Sequence, residues 1–112
     1  MRFPVFARNT DNYDLIICVA NWPSARIQAW NALLRARATE NMAYIVGVNR
    51  IGKDAYRLQY PGASAAYNAI GDELVFMESN QEVDTVTLNL DELHMLRKKH
   101  PFLEDRDEFT LT

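Results

Sequence analysis

The sequence predicts an α/β domain: a β-α-β unit, then a β-hairpin, a further β segment and a C-terminal helix, built on a mixed sheet. Three observations carry this. Two short runs, Leu15–Ala20 and residues 43–48, are apolar without alternation, the pattern of strands covered on both faces. The stretch between them has helical spacing and opens behind a proline, which the first turn of a helix tolerates well. Gly71-Asp72 separates two later β-prone stretches and reads as a hairpin turn. A chain of 112 residues has room for one domain.

Taken in order, the first segment is short and ends in Asn9-Thr10-Asp11-Asn12, a strong turn signal. Residues 13–21 read as a strand, which Trp22-Pro23-Ser24 breaks. A helix over residues 24–41, from Ser24 to Asn41, follows. Ile27, Trp30 and Leu34 form one stripe on it, and Ala25, Ala29, Ala32 and Ala36 a second. Two stripes predict burial on more than one side, and small residues allow a neighbouring helix to approach closely. Residues 42–49 form the second strand, reached by a right-handed crossover to a parallel position. Residues 50–63 are a polar connection containing Gly52, Lys53-Asp54 and Pro61-Gly62, and ordered loops of this length are often functional. Residues 64–70 and 73–78 make the hairpin, and residues 82–90, rich in Val and Thr, a further β segment. Asp91 is the expected N-cap of a helix over residues 92–100, with Glu92 in its first turn and Arg97-Lys98-Lys99 in its last. Pro101 ends that helix, and the acidic tail over residues 103–112 has no packing pattern of its own.

Twelve basic and fifteen acidic side chains give a formal charge of −3. The first half is basic and the second acidic, and no basic cluster tracks a phosphate backbone, which argues against nucleic acid as a partner. No apolar run is long enough to span a bilayer, and the N-terminus lacks the apolar stretch of a secretory signal. The expected compartment is the cytoplasm, with no membrane partner. A lone cysteine, Cys18, cannot form an intrachain disulfide. It sits mid-strand with no basic neighbour in sequence and reads as a small buried hydrophobe.

No complete catalytic constellation is legible from residue types and spacing alone. His94 and His100, six apart, do not share a helix face as metal ligands do. Arg35, Arg37 and Glu40 read as a solvated face with an Arg37–Glu40 pair. Neither a metal site nor a cofactor motif is expected. Asn21 and Trp22 are the candidate substrate-binding residues, because ligands of open α/β sheets bind at the C-terminal ends of parallel strands. Trp22 offers an aromatic wall and Asn21 a donor and an acceptor. Equally, Trp22 fits a packing role under the following helix.

The segments Arg2-Phe3-Pro4-Val5-Phe6-Ala7-Arg8-Asn9, Tyr13-Asp14-Leu15-Ile16 and Val19-Ala20-Asn21-Trp22-Pro23 resemble the nitrilase (carbon–nitrogen hydrolase) superfamily, in its omega-amidase-like bacterial branch. So do Arg26, Trp30, Leu33-Leu34, Ala36-Arg37-Ala38, Glu40-Asn41 and Tyr44. Gly47-Val48-Asn49-Arg50-Ile51-Gly52-Lys53-Asp54, Tyr60, Gly62-Ala63-Ser64, Gly71-Asp72 and the segment from Phe102 to Phe109 continue the match in one register.

That resemblance implies an α-β-β-α sandwich, of which residues 1–112 would be an incomplete C-terminal portion. It implies an amidase with a cysteine nucleophile, a glutamate base and a lysine that stabilises the oxyanion, acting on small ω-amides of dicarboxylates. The family's nucleophile lies in C-Y-D-x-R-F-P, which places it three residues before Met1. The glutamate and lysine lie further upstream, and neither Cys18 nor Lys53 matches a catalytic position. By the same resemblance Asn21 and Trp22 line the pocket, and the subunits pair as a homodimer through helix 24–41, with help from residues 2–9. The alternatives are an inactive structural remnant, or a fragment that dimerises or binds a partner through its exposed helix faces.

Overall fold

Two parallel strands joined by one long helix organise the chain. In the computed structural model, residues 1–80 and 83–112 are described. The strands are β1 (Leu15–Ala20), β2 (Tyr44–Asn49), β3 (Ile51–Lys53), β4 (Gln59–Pro61), β5 (Ala65–Tyr67) and β6 (Glu73–Phe76). The helices are α1 (Ile27–Asn41) and α2 (Leu90–Lys99), with 3-10 turns at Pro4–Ala7, Ser24–Arg26 and Phe102–Asp105. The main sheet has the order β1-β2-β5-β6. β1 and β2 are parallel, while β5 and β6 join antiparallel. This is the mixed sheet expected from the sequence.

One face of the sheet is sealed by α1. Trp30, Leu34 and Ala38 pack on Ile45, Ala65 and Tyr67, and Ile16, Cys18 and Ala20 of β1 join them partly buried. Gly47 sits in register with Cys18, and its missing side chain lets Leu34 and Trp30 close on the strand. The other face is covered at one end only, where Leu93 of α2, with Leu88 and Leu96, packs on Tyr44 and Ala69. Val83, Asp84 and Val86 border it beside Val46 and Val48, and over β1 it is open. Ile17 is 65% exposed, Val19 78% and Val48 44%.

Several expectations are corrected. β1 is not covered on both faces: it is an edge strand whose side chains alternate between exposed and half-buried. Cys18 is accordingly half-buried rather than enclosed. The connection over residues 50–63 is not plain loop, because β3 and β4 pair in it as a small hairpin. Residues 83–89 form no strand, and Glu82 of that expected segment lies outside the described residues. Tertiary contact overrides the local β propensity there. Leu88 packs against the Tyr44 cluster, and the Tyr44 hydroxyl donates to the Asn89 carbonyl at 2.9 Å. The α2 cap is Asn89, whose side chain accepts from the Glu92 amide at 3.2 Å, not Asp91, which lies inside the helix.

Arg37 is not part of a solvated face. It is 3% exposed, and its guanidinium donates twice to the Met1 carbonyl, at 2.8 and 3.0 Å, and pairs with Glu40 at 2.8 Å. The tail does pack: Leu103 is buried, Arg8 donates to the Asp107 carbonyl at 2.7 Å, and Arg106 donates to the Asn9 carbonyl.

α2 is bolted to the start of the sheet by Arg97. Its guanidinium donates to the Met42 and Tyr13 carbonyls and to Asp14 Oδ1, at 2.7–2.8 Å. His94 Nε2 lies 3.1 Å from the same Asp14 oxygen. Asn9, fully buried, ties the N-terminal segment to α1. Its amide N–H donates to Asn41 Oδ1 at 2.8 Å and its side chain to the Asn41 carbonyl at 2.9 Å. Buried polar groups of this kind are stable only when paired, and these are.

Candidate functional site

The C-terminal ends of β1 and β2 lie side by side, with Ala20 in register with Asn49. After Ala20 the chain leaves the sheet through Asn21-Trp22-Pro23, and Pro23, with φ −77° and ψ 157°, turns it into the 3-10 entry of α1. Asn21 is exposed at this rim. Trp22 is half-buried and packs on Trp30, ring centroids 5.8 Å apart. Its indole N–H donates to the Arg26 carbonyl at 2.6 Å. The Arg2 guanidinium stands 5.5 Å from the Trp22 ring centroid, within reach of a cation–π attraction. The structure thus joins Arg2, far away in sequence, to Trp22, while the Trp22 indole packs as well.

Asn49 is the polar centre of this edge and is 5% exposed. Its Oδ1 accepts from the Trp22 amide at 2.6 Å, and its Nδ2 donates to the Trp22 carbonyl at 2.9 Å and the Gly62 carbonyl at 2.8 Å. Ser64 Oγ accepts from the Asn49 amide at 2.9 Å. The Gly62-Ala63 corner carries two successive left-handed residues, with φ of +73° and +56°. A Cβ at position 62 would also meet Ile51 Cγ2 at 2.8 Å, so glycine is required there on both counts. Trp30 fixes the corner by donating to the Ala63 carbonyl at 2.8 Å. On the uncovered side of the sheet, Val46, Val48, Asn49, Gly62, Ser64 and Met77 help line a cleft of about 510 Å³.

The β3–β4 hairpin rises from the same edge. Its bend is set by Asp54, whose Oδ1 accepts from the Tyr56 and Leu58 amides and whose Oδ2 accepts from the Tyr60 hydroxyl, each at 2.9 Å. Partial desolvation pushes that carboxyl up. The hydrogen bonds and the nearby Arg50 outweigh it and hold Asp54 below the usual carboxylate range. The Arg50 guanidinium stacks 4.6 Å from the Tyr60 ring.

Cys18 and Lys53 do not join this edge into a catalytic pair. Cys18 lies mid-β1 against the α1 core, where burial pushes its thiol up, away from the reactive thiolate. Lys53 is exposed at the end of β3. Among the described residues no group of three or more His, Cys, Asp or Glu side chains could hold a metal ion, and no helix is long and apolar enough to cross a membrane. Sequence reasoning missed Arg2 and Asn49. Arg2 entered only as part of the Arg2-Phe3-Pro4 segment of the resemblance, with no role assigned to it. Asn49 carried one faint signal, an amide at the end of an otherwise apolar strand.

The profile of the carbon-nitrogen hydrolase family matches residues 1–98. The chain belongs to that family. It is 42% identical over 112 residues to "Omega-amidase YafV" of Yersinia enterocolitica, covering 99% of this chain and 44% of that protein. It is 37% identical over 108 residues to a "2-oxoglutaramate amidase" of Paenarthrobacter nicotinovorans, covering 95% of this chain and 36% of that one. A CN-hydrolase superfamily protein of Xanthomonas campestris, solved with an arsenic adduct in its active site, superposes with a TM-score of 0.95 at 41% identity, over 99% of this chain and 45% of that one. The fold is therefore part of the nitrilase-like fold, and the chain spans less than half the length of the relatives it matches.

Proposed function

We propose that this chain is the C-terminal portion of a cytoplasmic, omega-amidase-like hydrolase and forms the part of its pocket that receives the free carboxylate of a small ω-amide. The observation that carries this is the Arg2 guanidinium over Trp22 at the ends of the parallel strands. An ω-amide of a dicarboxylate has one anionic end and one reacting end. Arg2 supplies a planar cation for the first, Trp22 a wall for the carbon chain, and Asn21 a polar rim. The cysteine, glutamate and lysine of the family come in this reading from sequence ahead of Met1. Arg37 grips the Met1 carbonyl and so fixes the backbone leading out of the nucleophile segment against α1. The thiolate then attacks the amide carbon, ammonia leaves, and water resolves the acyl-enzyme. The rest of the domain seats on the open sheet face over Ile17, Val19 and Val48.

The test compares the 112-residue chain with the same chain joined to its upstream coding sequence. The joined protein releases ammonia from 2-oxoglutaramate, and Arg2→Ala raises its KM far more than it lowers kcat. The chain alone shows no turnover. Turnover by the chain alone, abolished in Cys18→Ser, overturns the reading.

A second reading, self-association through α1, is favoured by one observation. Ala25 and Ala32 of the alanine stripe face solvent, and Ala29 and Ala36 are only half-buried. A small-residue helix face of this kind allows a close symmetric contact.

A further inference from the structure

We infer that Asn49 is the positioning residue of the carboxylate subsite: its side-chain amide continues the β1–β2 ladder and holds the Trp22 wall in place against Arg2. This rests on the pocket reading given above and adds to it the group that sets the pocket's geometry.

The argument starts from the backbone. The last ladder contact of β1 is the Arg50 amide donating to the Ala20 carbonyl at 3.2 Å. Beyond it the chain turns away, and Trp22 keeps an N–H and a C=O with no strand beside them. Pro23 brings no N–H of its own. A backbone pair left unmet at a half-buried position is costly. The Asn49 side chain meets both groups at once, accepting from Trp22 N–H at 2.6 Å and donating to Trp22 C=O at 2.9 Å. A primary amide is the one short side chain that presents a donor and an acceptor on a single plane, as a peptide group does. Aspartate lacks the donor, and serine lacks the reach.

The remaining donor of Asn49 goes to the Gly62 carbonyl at 2.8 Å. Asn49 therefore joins the Trp22 turn to the left-handed Gly62-Ala63 corner, and Trp30 bonds that same corner while packing on the Trp22 ring. Trp22 is held from two sides, by its backbone through Asn49 and by its ring through Trp30. Arg37 holds the Arg2 carbonyl, so the orientation of Trp22 sets the distance between wall and cation. Without Asn49 the Trp22 backbone loses its only described hydrogen-bond partners, and the wall shifts relative to the cation.

The experiment uses the chain joined to its upstream sequence and two independent readouts. The first needs no ligand. In the wild type the Trp22 amide and the Asn49 side-chain amide exchange slowly with solvent. In Asn49→Ala the Trp22 indole and backbone resonances shift and exchange faster, while the Trp30 indole, bonded to Ala63, keeps its protection. Ser64→Ala is the control: it removes a bond at the same strand end without touching Trp22, and leaves the Trp22 signals in place. Asn49→Asp, used if Asn49→Ala does not fold, keeps the acceptor for the Trp22 N–H and loses both donors, so the Trp22 indole resonance shifts while the Trp22 amide stays protected.

The second readout titrates glutarate, followed by the Trp22 indole resonance. Asn49→Ala binds about tenfold more weakly than wild type. Fast exchange of the wild-type Trp22 amide, or Trp22 signals unchanged in the variants, overturns the role of Asn49 and leaves the pocket reading standing. No glutarate response in the wild type, with the Trp22 amide protected, overturns the pocket reading and leaves the clamp intact.

Discussion

Replacing Gly47 by alanine tests the packing on which the site edge rests. A Cβ at this position would stand 2.6 Å from both terminal methyls of Leu34 and 2.9 Å from Cζ2 of Trp30, where carbon–carbon contacts settle at about 3.5–4.0 Å. The Leu34 methyls end a flexible side chain, whereas the Trp30 ring does not. Both are fully buried, and the Trp30 ring is pinned by its bond to the Ala63 carbonyl. The strain passes into β2 or into the Leu34 rotamer. Overpacking of this kind costs about 1–3 kcal/mol, a fall in melting temperature of roughly 5–15 °C for a chain of this size. Urea unfolding followed by circular dichroism measures it. A double-mutant cycle with Leu34→Val, which draws the clashing methyls back, recovers about 1 kcal/mol of the combined loss if the contact is the cause. A Gly47→Ala chain as stable as wild type, or a strictly additive cycle, refutes the reasoning.

Other perturbations follow from the same structure. Arg37→Ala removes the charged donors that hold the Met1 and Arg2 carbonyls, costs about 2–3 kcal/mol, and exposes residues 2–9 to rapid proteolysis; a protease pattern like that of wild type contradicts the clamp. Burial, reinforced by Glu40 and opposed by Arg97 and Arg37, pushes Tyr13 up to about 12 from 10.0. The folded state holds that proton more tightly, so this stability is full below pH 10, declines as pH rises toward 12, and is lost above it. Tyr13→Phe flattens that decline in alkaline denaturation, and an unchanged slope counts against it. Ala32→Glu with Ala36→Glu lowers the sedimentation mass if α1 is a self-association face, and leaves it unchanged if it is not.

The strands of the β-α-β unit were legible because their signals are local and agree: an apolar run, a proline at the break, a helical stripe ending at Asn41, a second apolar run. The hairpin was legible from Gly71-Asp72, but its first strand stops at Tyr67 rather than Ile70, because Asn68 Oδ1 accepts from both the Ile70 and Asp72 amides and starts the turn earlier. What failed depends on distant partners. Arg37 looks solvated until the Met1 carbonyl is folded onto it. Residues 83–89 have β propensity, but Leu88 and Asn89 spend their contacts on Tyr44 and Val83 and Val86 line the cleft. The α2 cap moved to Asn89 because two good capping residues stood two positions apart, and tertiary contact chose between them. In the proposed site, Trp22 is the residue that the topology of parallel strands singles out, whereas Arg2 and Asn49 come beside it only through the folded backbone.

One mismatch between sequence and structure bears on what the chain belongs to. The run Leu15–Ala20 is apolar on both faces, which is the composition of a strand covered twice. The structure covers one face: Ile16, Cys18 and Ala20 lean on the α1 core, while Leu15, Ile17 and Val19 face solvent beside Val48. Such a surface costs a soluble chain dearly, because each large aliphatic side chain left in water forgoes about 1.5–3 kcal/mol of burial, and an open strand edge invites unwanted pairing. α2 already shields the Tyr44 end of the same face and stops short of the end that carries the site. In the proposed reading the rest of the hydrolase domain completes that cover, so the apolar side chains that look surplus on β1 and the site edge that looks incomplete at Asn49 have one explanation. Lysine at Ile17 and Val19 separates the two roles. It reduces dye binding and aggregation of the chain alone, and it prevents the chain joined to its upstream sequence from reaching a soluble, amide-hydrolysing state. Full activity in that doubly substituted protein would show that the open face is ordinary surface.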